Sequence, residues 1–172
     1  MKIINKPADN EFQANEPILA HLIPDDGLLL KYLALNLETT KAFIRSLPED
    51  KLLFRYAEGK WTIKEVLIHL IDMERIYMYR ALRFARNDQT VLPGFDADNY
   101  VLLSGANERE ITDLLEEFTN VRHATISFLN GLTEDALLLS GSMNGNEVSV
   151  RALAYHIAGH ELHHVSIIKE RY

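Results

Sequence analysis

The sequence predicts an all-α fold, a four-helix bundle with a long connection between its second and third helices. Three observations carry that expectation. Four stretches place apolar residues at the spacing of an amphipathic helix. Pro24, Pro48, Pro93 and most of the glycines fall between those stretches, where such residues punctuate structure. No segment of comparable length alternates with period two, as a strand does.

The first helix is expected over about 26–46. Leu29, Leu33, Leu37, Thr40, Ile44 and Leu47 recur at helical spacing, and Pro48 stops it. The second starts at Thr62, where Thr62-Ile63-Lys64-Glu65 reads as a capping box, and runs to about residue 86. The third starts near Asn107, carries Ile111, Leu114, Leu115, Phe118, Val121, Phe128 and Leu129, and ends at Gly131. The fourth spans about 149–169. Helices of ~20 residues are ~30 Å long, and their apolar stripes are buried against one another in a bundle. The connection 87–106 is long for a loop, and loops of this length are functional or carry a short element. Its Phe95, Asp96, Asp98 and Tyr100 would lie over one end of the bundle or along a surface crossover.

The chain has 172 residues, and a single domain is expected over 1–172: a bundle over about 26–170 behind an N-terminal extension, 1–25. Net charge is −7. Phosphate binding needs a positive field, so nucleic acid is not an expected partner. There is no cysteine, which excludes disulfides, thiolate zinc sites, iron–sulfur clusters and a cysteine nucleophile. The N-terminus lacks the apolar core of a signal peptide, and no run approaches the ~18 apolar residues of a membrane span. The expected setting is the cytoplasm, away from membranes.

The histidines carry the chemistry. Four of the seven fall in Tyr155-His156-Ile157-Ala158-Gly159-His160-Glu161-Leu162-His163-His164. With Val148 at zero and ~100° per residue, the aliphatic residues of the fourth helix centre at about 164°. His160 falls at ~120° and His164 at ~160°, inside the stripe, with His156 and His163 on its flank at ~80° and ~60°. His160 and His164 are one turn apart, so their rings sit side by side. A buried imidazole pair needs partners. Hydrogen bonds to other side chains are one solution; a shared cation at ~2.0–2.1 Å is the other. His69 is the one histidine of the second helix, at the edge of its Ile63, Val66, Leu70, Met73, Tyr77 face. A neighbouring helix could present it to the pair.

Trp61-Thr62-Ile63-Lys64-Glu65-Val66-Leu67-Ile68-His69-Leu70-Ile71-Asp72-Met73-Glu74-Arg75, then Leu92-Pro93-Gly94-Phe95, then Gly159-His160-Glu161-Leu162-His163-His164 resembles the DinB-like (YfiT-like) family over about 26–172. The resemblance implies a four-helix bundle with a divalent metal near one end. Its ligands would be His69 from the second helix and the H-x-x-x-H pair His160 and His164. It also implies a homodimer. Three neutral histidines leave a coordination position for water or substrate, and all-imidazole ligation suits zinc or nickel. Glu65 and Asp72 are candidates to orient the His69 ring, or else a cap and a solvated charge. Relatives of the resemblance include S-transferases and isomerases that use low-molecular-weight thiols. The expected function is therefore a divalent-metal-dependent enzyme on a small-molecule substrate, a thiol-dependent S-transferase or related hydrolase or isomerase. The alternative is a non-catalytic, stress-associated metal-binding or interaction protein whose ion is structural.

Two other motifs compete. His160-Glu161-Leu162-His163-His164 matches H-E-x-x-H, with Glu161 as a base. The usual downstream third ligand is missing, since no histidine follows His164, and no strand pattern offers a substrate-binding edge. Glu161-x-x-His164 resembles half of a di-iron site, but no second E-x-x-H exists. Tyr77, Tyr79, Arg80, Arg83 and Arg86 make the end of the second helix basic, suiting an anionic substrate or simply the helix terminus. Trp61 reads as a packing residue.

Overall fold

The computed structural model describes residues 2–12 and 19–172. Its main elements are α1 (Leu29–Ser46), α2 (Ile63–Ala85), α3 (Ala97–Leu103), α4 (Ile111–Gly131), α5 (Glu134–Leu138), β1 (Ser140–Met143), β2 (Asn146–Ser149) and α6 (Val150–Arg171). Four long helices, α1, α2, α4 and α6, form the bundle. α2 packs against both α4 and α6, and so does α1. The consecutive helices α1 and α2 therefore face each other across the bundle rather than side by side.

Local signals set the helix starts. Thr62 accepts the Glu65 N–H at 3.1 Å, and the Glu65 carboxylate accepts the Thr62 N–H at 2.8 Å, closing the expected capping box. Ser149 caps α6 by accepting the Ala152 N–H at 3.1 Å.

Two apolar clusters fill the interior. One gathers Leu29, Leu33, Tyr77, Phe84, Leu129 and Ile157; the other gathers Leu37, Ile44, Ile63, Ile71, Phe118 and Ile168. Between them lies a polar layer of one mid-helix contribution each: Thr40 from α1, Glu74 from α2, Arg122 from α4 and Glu161 from α6, all buried. Arg122 Nε and Nη2 donate to the Glu74 carboxylate at 2.9 and 2.8 Å, and Nη1 donates to Glu161 Oε2 at 2.7 Å and to the Leu33 carbonyl at 2.8 Å. The Thr40 hydroxyl donates to Glu161 Oε1 at 2.7 Å. Burial alone would pull the guanidinium down; the Glu161 and Glu74 carboxylates instead raise its pKa above the ordinary arginine value.

The N-terminal segment enters the core. Ile4 is buried, its N–H donates to the Gly27 carbonyl at 3.0 Å, and its own carbonyl accepts the Tyr155 hydroxyl at 2.8 Å. The 3-10 turn Leu19–Leu22 lies directly on α6 at Gly159, where an added Cβ would stand 2.0 Å from the Leu19 carbonyl oxygen.

Two features differ from the expectation, and the connection takes one of its expected forms, a short element. A two-stranded antiparallel hairpin, β1–β2, occupies 140–149. Its turn residues Asn144 and Gly145 both have positive φ, 48° and 76°, the backbone of the tight hairpin turn that Asn-Gly favours. Four-residue strands are too short for a period-two count, but that dipeptide was a readable signal. The connection 87–106 contains α3, which Asp96 caps by accepting the Asn99 N–H at 3.1 Å. Finally, α6 is buried on more sides than its large aliphatics indicate: Ala152, Ala154 and Ala158 are fully enclosed and Gly159 is buried. Small residues let neighbours approach closely, which moves His160 and His164 from the centre of the buried face to its half-buried edge.

Candidate metal centre

His69 projects from the second turn of α2, and His160 and His164 project from successive turns of α6. His160 Nε2 lies 3.2 Å from His69 Nε2 and 3.1 Å from His164 Nε2. Among the described residues, these three form the only group of three or more side chains able to hold one ion, with ligand atoms within 4.8 Å of one another. The expected trio is therefore brought together. His156 stacks on His160 at 5.5 Å between ring centroids, and His163 meets His164 at 5.3 Å, but neither joins the convergence of nitrogens.

The spacing discriminates between hydrogen bonding and ligation. Each Nε2 of a neutral imidazole carries either one hydrogen or one lone pair, so His160 Nε2 cannot make good hydrogen bonds to both neighbours. Three nitrogens each ~2.0–2.1 Å from one ion, at tetrahedral to octahedral angles, stand ~2.9–3.4 Å apart. The two separations from His160 fall within that window and all three ligand atoms lie within 4.8 Å of one another, so the residues fit a divalent ion.

Electrostatics favour the ligand form. Burial pushes the His69 pKa down to about 4. Burial, joined by the neighbouring imidazoles, pushes His164 down to about 3 and His160 well below its usual range. All three rings are neutral at pH 7, as metal coordination requires.

Trp61 covers the cluster. Its ring centroid lies 4.6 Å from that of His69 and 6.4 Å from that of His164. A network at the start of α2 holds it there. Arg55 donates to the Lys60 carbonyl at 2.6 Å and grips both Glu65 oxygens at 2.7 and 2.9 Å. Glu65 also accepts from Asn107 at 2.7 Å. Burial raises the Glu65 pKa, but these donors outweigh it and hold the carboxyl below its usual range.

A pocket of about 250 Å³ opens beside His164, lined by Trp61 and by Tyr56, Lys60, Asp98 and Tyr172 among others. Trp61 packs at the start of α2, as expected; what the sequence did not show is that it packs on the imidazoles and lines the pocket. No periodicity marks Tyr56, Lys60 or Tyr172, which lie outside the long helices and reach the pocket only through tertiary packing. Of the connection residues, Asp98 reaches the pocket, while Phe95 and Tyr100 pack on each other at 5.2 Å between centroids.

Other candidates go elsewhere. Glu65 belongs to the helix cap. Asp72 faces Arg75 at 3.5 Å. Glu161 is not a free base, because Arg122 and Thr40 occupy both its oxygens; this removes the peptidase reading of H-E-x-x-H. Arg80 donates to the Pro93 carbonyl at 2.9 Å and Arg83 pairs with Asp88, so these two cations of the basic end of α2 serve the connection.

Comparison with known proteins agrees with the fold. The model of the DinB superfamily matches residues 32–168, and the chain belongs to that family. A relative from Oceanobacillus iheyensis, named "Putative metal-dependent hydrolase", is 29% identical over 129 residues, 73% of each chain. Among solved structures, YfiT from Bacillus subtilis, described as "a probable metal-dependent hydrolase with an unusual four-helix bundle topology", superposes with a TM-score of 0.75 at 16% identity, over 93% of this chain and 91% of its own. A DinB-like protein, YjoA, also from Bacillus subtilis, superposes with a TM-score of 0.57 at 18% identity, over 82% and 86% of the two chains. Among the described residues, no helix is long and apolar enough to cross a membrane.

Proposed function

We propose that this protein is a divalent-metal-dependent enzyme acting on a small molecule, with His69, His160 and His164 as the metal ligands. The observation that carries the reading is the convergence of three neutral imidazole nitrogens, 3.1 and 3.2 Å apart, at the edge of a pocket. A divalent ion held there would supply Lewis acidity, polarising a substrate carbonyl or phosphoryl oxygen and lowering the pKa of a water or thiol that reaches it.

The chain's own residues do the rest. The three imidazoles hold their lone pairs inward, and Trp61 shields His69 and His164 from bulk water. The pocket admits substrate from the His164 side. The names of the relatives favour hydrolysis, with water as acceptor. The family resemblance adds the alternative of a low-molecular-weight thiol as acceptor in an S-transferase. Zinc and nickel both suit the donor set. The catalytic reading is favoured over a purely structural ion because no fourth carboxylate or imidazole joins the trio among the described residues. A structural zinc site is closed by four protein ligands.

Elemental analysis of protein purified without affinity-column nickel, then offered zinc, tests this. One equivalent of metal is expected for the wild type. His160→Ala should lower zinc affinity by at least ~100-fold, since even partners outside the ligand set cost ~10–100-fold. A wild type that takes up no stoichiometric metal, or a His160→Ala variant that binds as well, would refute the ligand assignment. With metal bound, hydrolysis of activated esters and amides, run with and without added thiol, separates the two acceptors.

A further inference from the structure

The pocket beside His164 has a particular chemistry. Three of its walls are rings: Tyr56 from the turn before α2, Trp61 at the start of α2, and Tyr172 after α6. Tyr56 and Tyr172 meet edge to face, with centroids 5.1 Å apart and planes at 80°. Tyr172 is fixed, because its hydroxyl donates to the Trp61 carbonyl at 2.5 Å. Val66 and Ile167 add apolar surface, and Lys60 and Asp98 bring charged side chains of opposite sign to the lining.

These rings are not simply core. Tyr56 is 36% exposed, and Trp61 and Tyr172 are half-buried. Single exposed aromatics are ordinary, but three converging on one concavity beside a cluster of potential ligands mark a binding site. The rings are stiff, so a ligand pays little entropy to order them. A volume of about 250 Å³ equals roughly eight waters at ~30 Å³ each, enough for one ring with a short substituent. Aromatic walls favour edge and face contacts with another ring by ~0.5–1.5 kcal/mol per pair beyond area burial, which a saturated ring cannot match.

We propose that this pocket selects a small substrate bearing a flat aromatic ring. The ring sits among Tyr56, Trp61 and Tyr172, the reacting bond lies at the His164 end, and the polar tail lies between Lys60 and Asp98. The chemistry at that bond rests on the proposed function above; recognition of the ring does not, because none of the three walls is a candidate ligand.

Trp61 is the only tryptophan of the chain, so intrinsic fluorescence reports this pocket directly. The full chain, stripped of metal with chelator, is titrated with benzamide and with cyclohexanecarboxamide, which share a polar group and differ in flatness. A saturable change is expected with benzamide, and binding about five-fold weaker with the saturated analogue, the equivalent of one ring pair. Tyr56→Leu should weaken benzamide by about five-fold while the zinc affinity stays that of the wild type and the thermal midpoint falls by only a few °C, the loss of the one Tyr56–Tyr172 contact. Tyr172→Leu provides a second, independent removal of a wall. Absence of saturable binding, equal affinity for the two probes, or wild-type affinity in both variants would each overturn the proposal. Intact benzamide binding in a protein that takes up no zinc would sink the metal assignment alone. Zinc uptake without preference for the flat probe would sink this proposal alone.

Discussion

At the scale of single residues, the histidines govern how the protein responds to acid. In the metal-free folded chain the His69 pKa is about 4 and that of His164 about 3, against an ordinary value of 6.5. Between those values the unfolded chain binds protons that the folded chain does not. Stability therefore rises with pH across that interval, and it falls as pH drops below about 6.5. The loss from His69 is complete near pH 4 and that from His164 near pH 3. Urea unfolding of the metal-free protein at pH 5 and pH 7 checks this: the midpoint is expected at lower urea at pH 5. An equal midpoint would show that the rings are not held neutral by burial. The same scale explains Glu161. Its neighbours at helical spacing are Ile157, Ala158, Val165 and Ile168, with His164 the one polar exception, and Glu161 itself is buried with no exit to water. Arg122, flanked by Phe118, Thr125 and Leu129, and Glu74, flanked by Leu70, Ile71 and Tyr77, stand likewise. A charge in an apolar stripe must find an opposite charge inside the fold, and these three found one another.

At the scale of elements, the Arg122 guanidinium ties the four long helices at one level. It contacts α2 through Glu74, α6 through Glu161 and α1 through the Leu33 carbonyl. A buried ion cluster is weak evidence of net stability, but removing one partner strands the others. Arg122→Met is expected to lose about 3–5 kcal/mol by leaving two buried carboxylates uncompensated. Chemical denaturation measures it; a loss below about 1 kcal/mol would mean that water or protonation replaces the cation readily. The layer also sets register. With Glu74 and Glu161 held to one cation, α2 and α6 cannot slide past each other, and His69 stays level with His160.

At the scale of the whole molecule, α2 and α6 meet twice, through the ion cluster inside and through the imidazole trio at the edge. A cation held by the trio would bind the folded chain and not the unfolded one. At zinc a hundred times its dissociation constant this linkage amounts to ~2.7 kcal/mol. For a chain of this length the thermal midpoint should rise by about 5–10 °C. Differential scanning fluorimetry reads the shift, which His160→Ala should abolish. A shift of the same size in that variant would place the stabilising ion elsewhere.

Much of this protein is legible in its residue order, because the signals concerned are local. Helical spacing, the Thr62–Glu65 box and the terminating Pro48 act within a turn or two, so the four long helices lie where periodicity puts them, except that α4 starts at Ile111 rather than near Asn107 and passes through a helical Gly131 to end at an extended Leu132. The turn between His160 and His164 is likewise a local geometry, which made that pair visible. What pairs with what across the bundle is not local. The levelling of His69 with the α6 pair, the capture of Glu161 by Arg122, and the assembly of Tyr56, Trp61 and Tyr172 into one pocket depend on how separate helices and turns dock. Docking is decided by small residues such as Ala158 and Gly159 and by buried charge, whose partners are remote in the chain and leave no periodic trace.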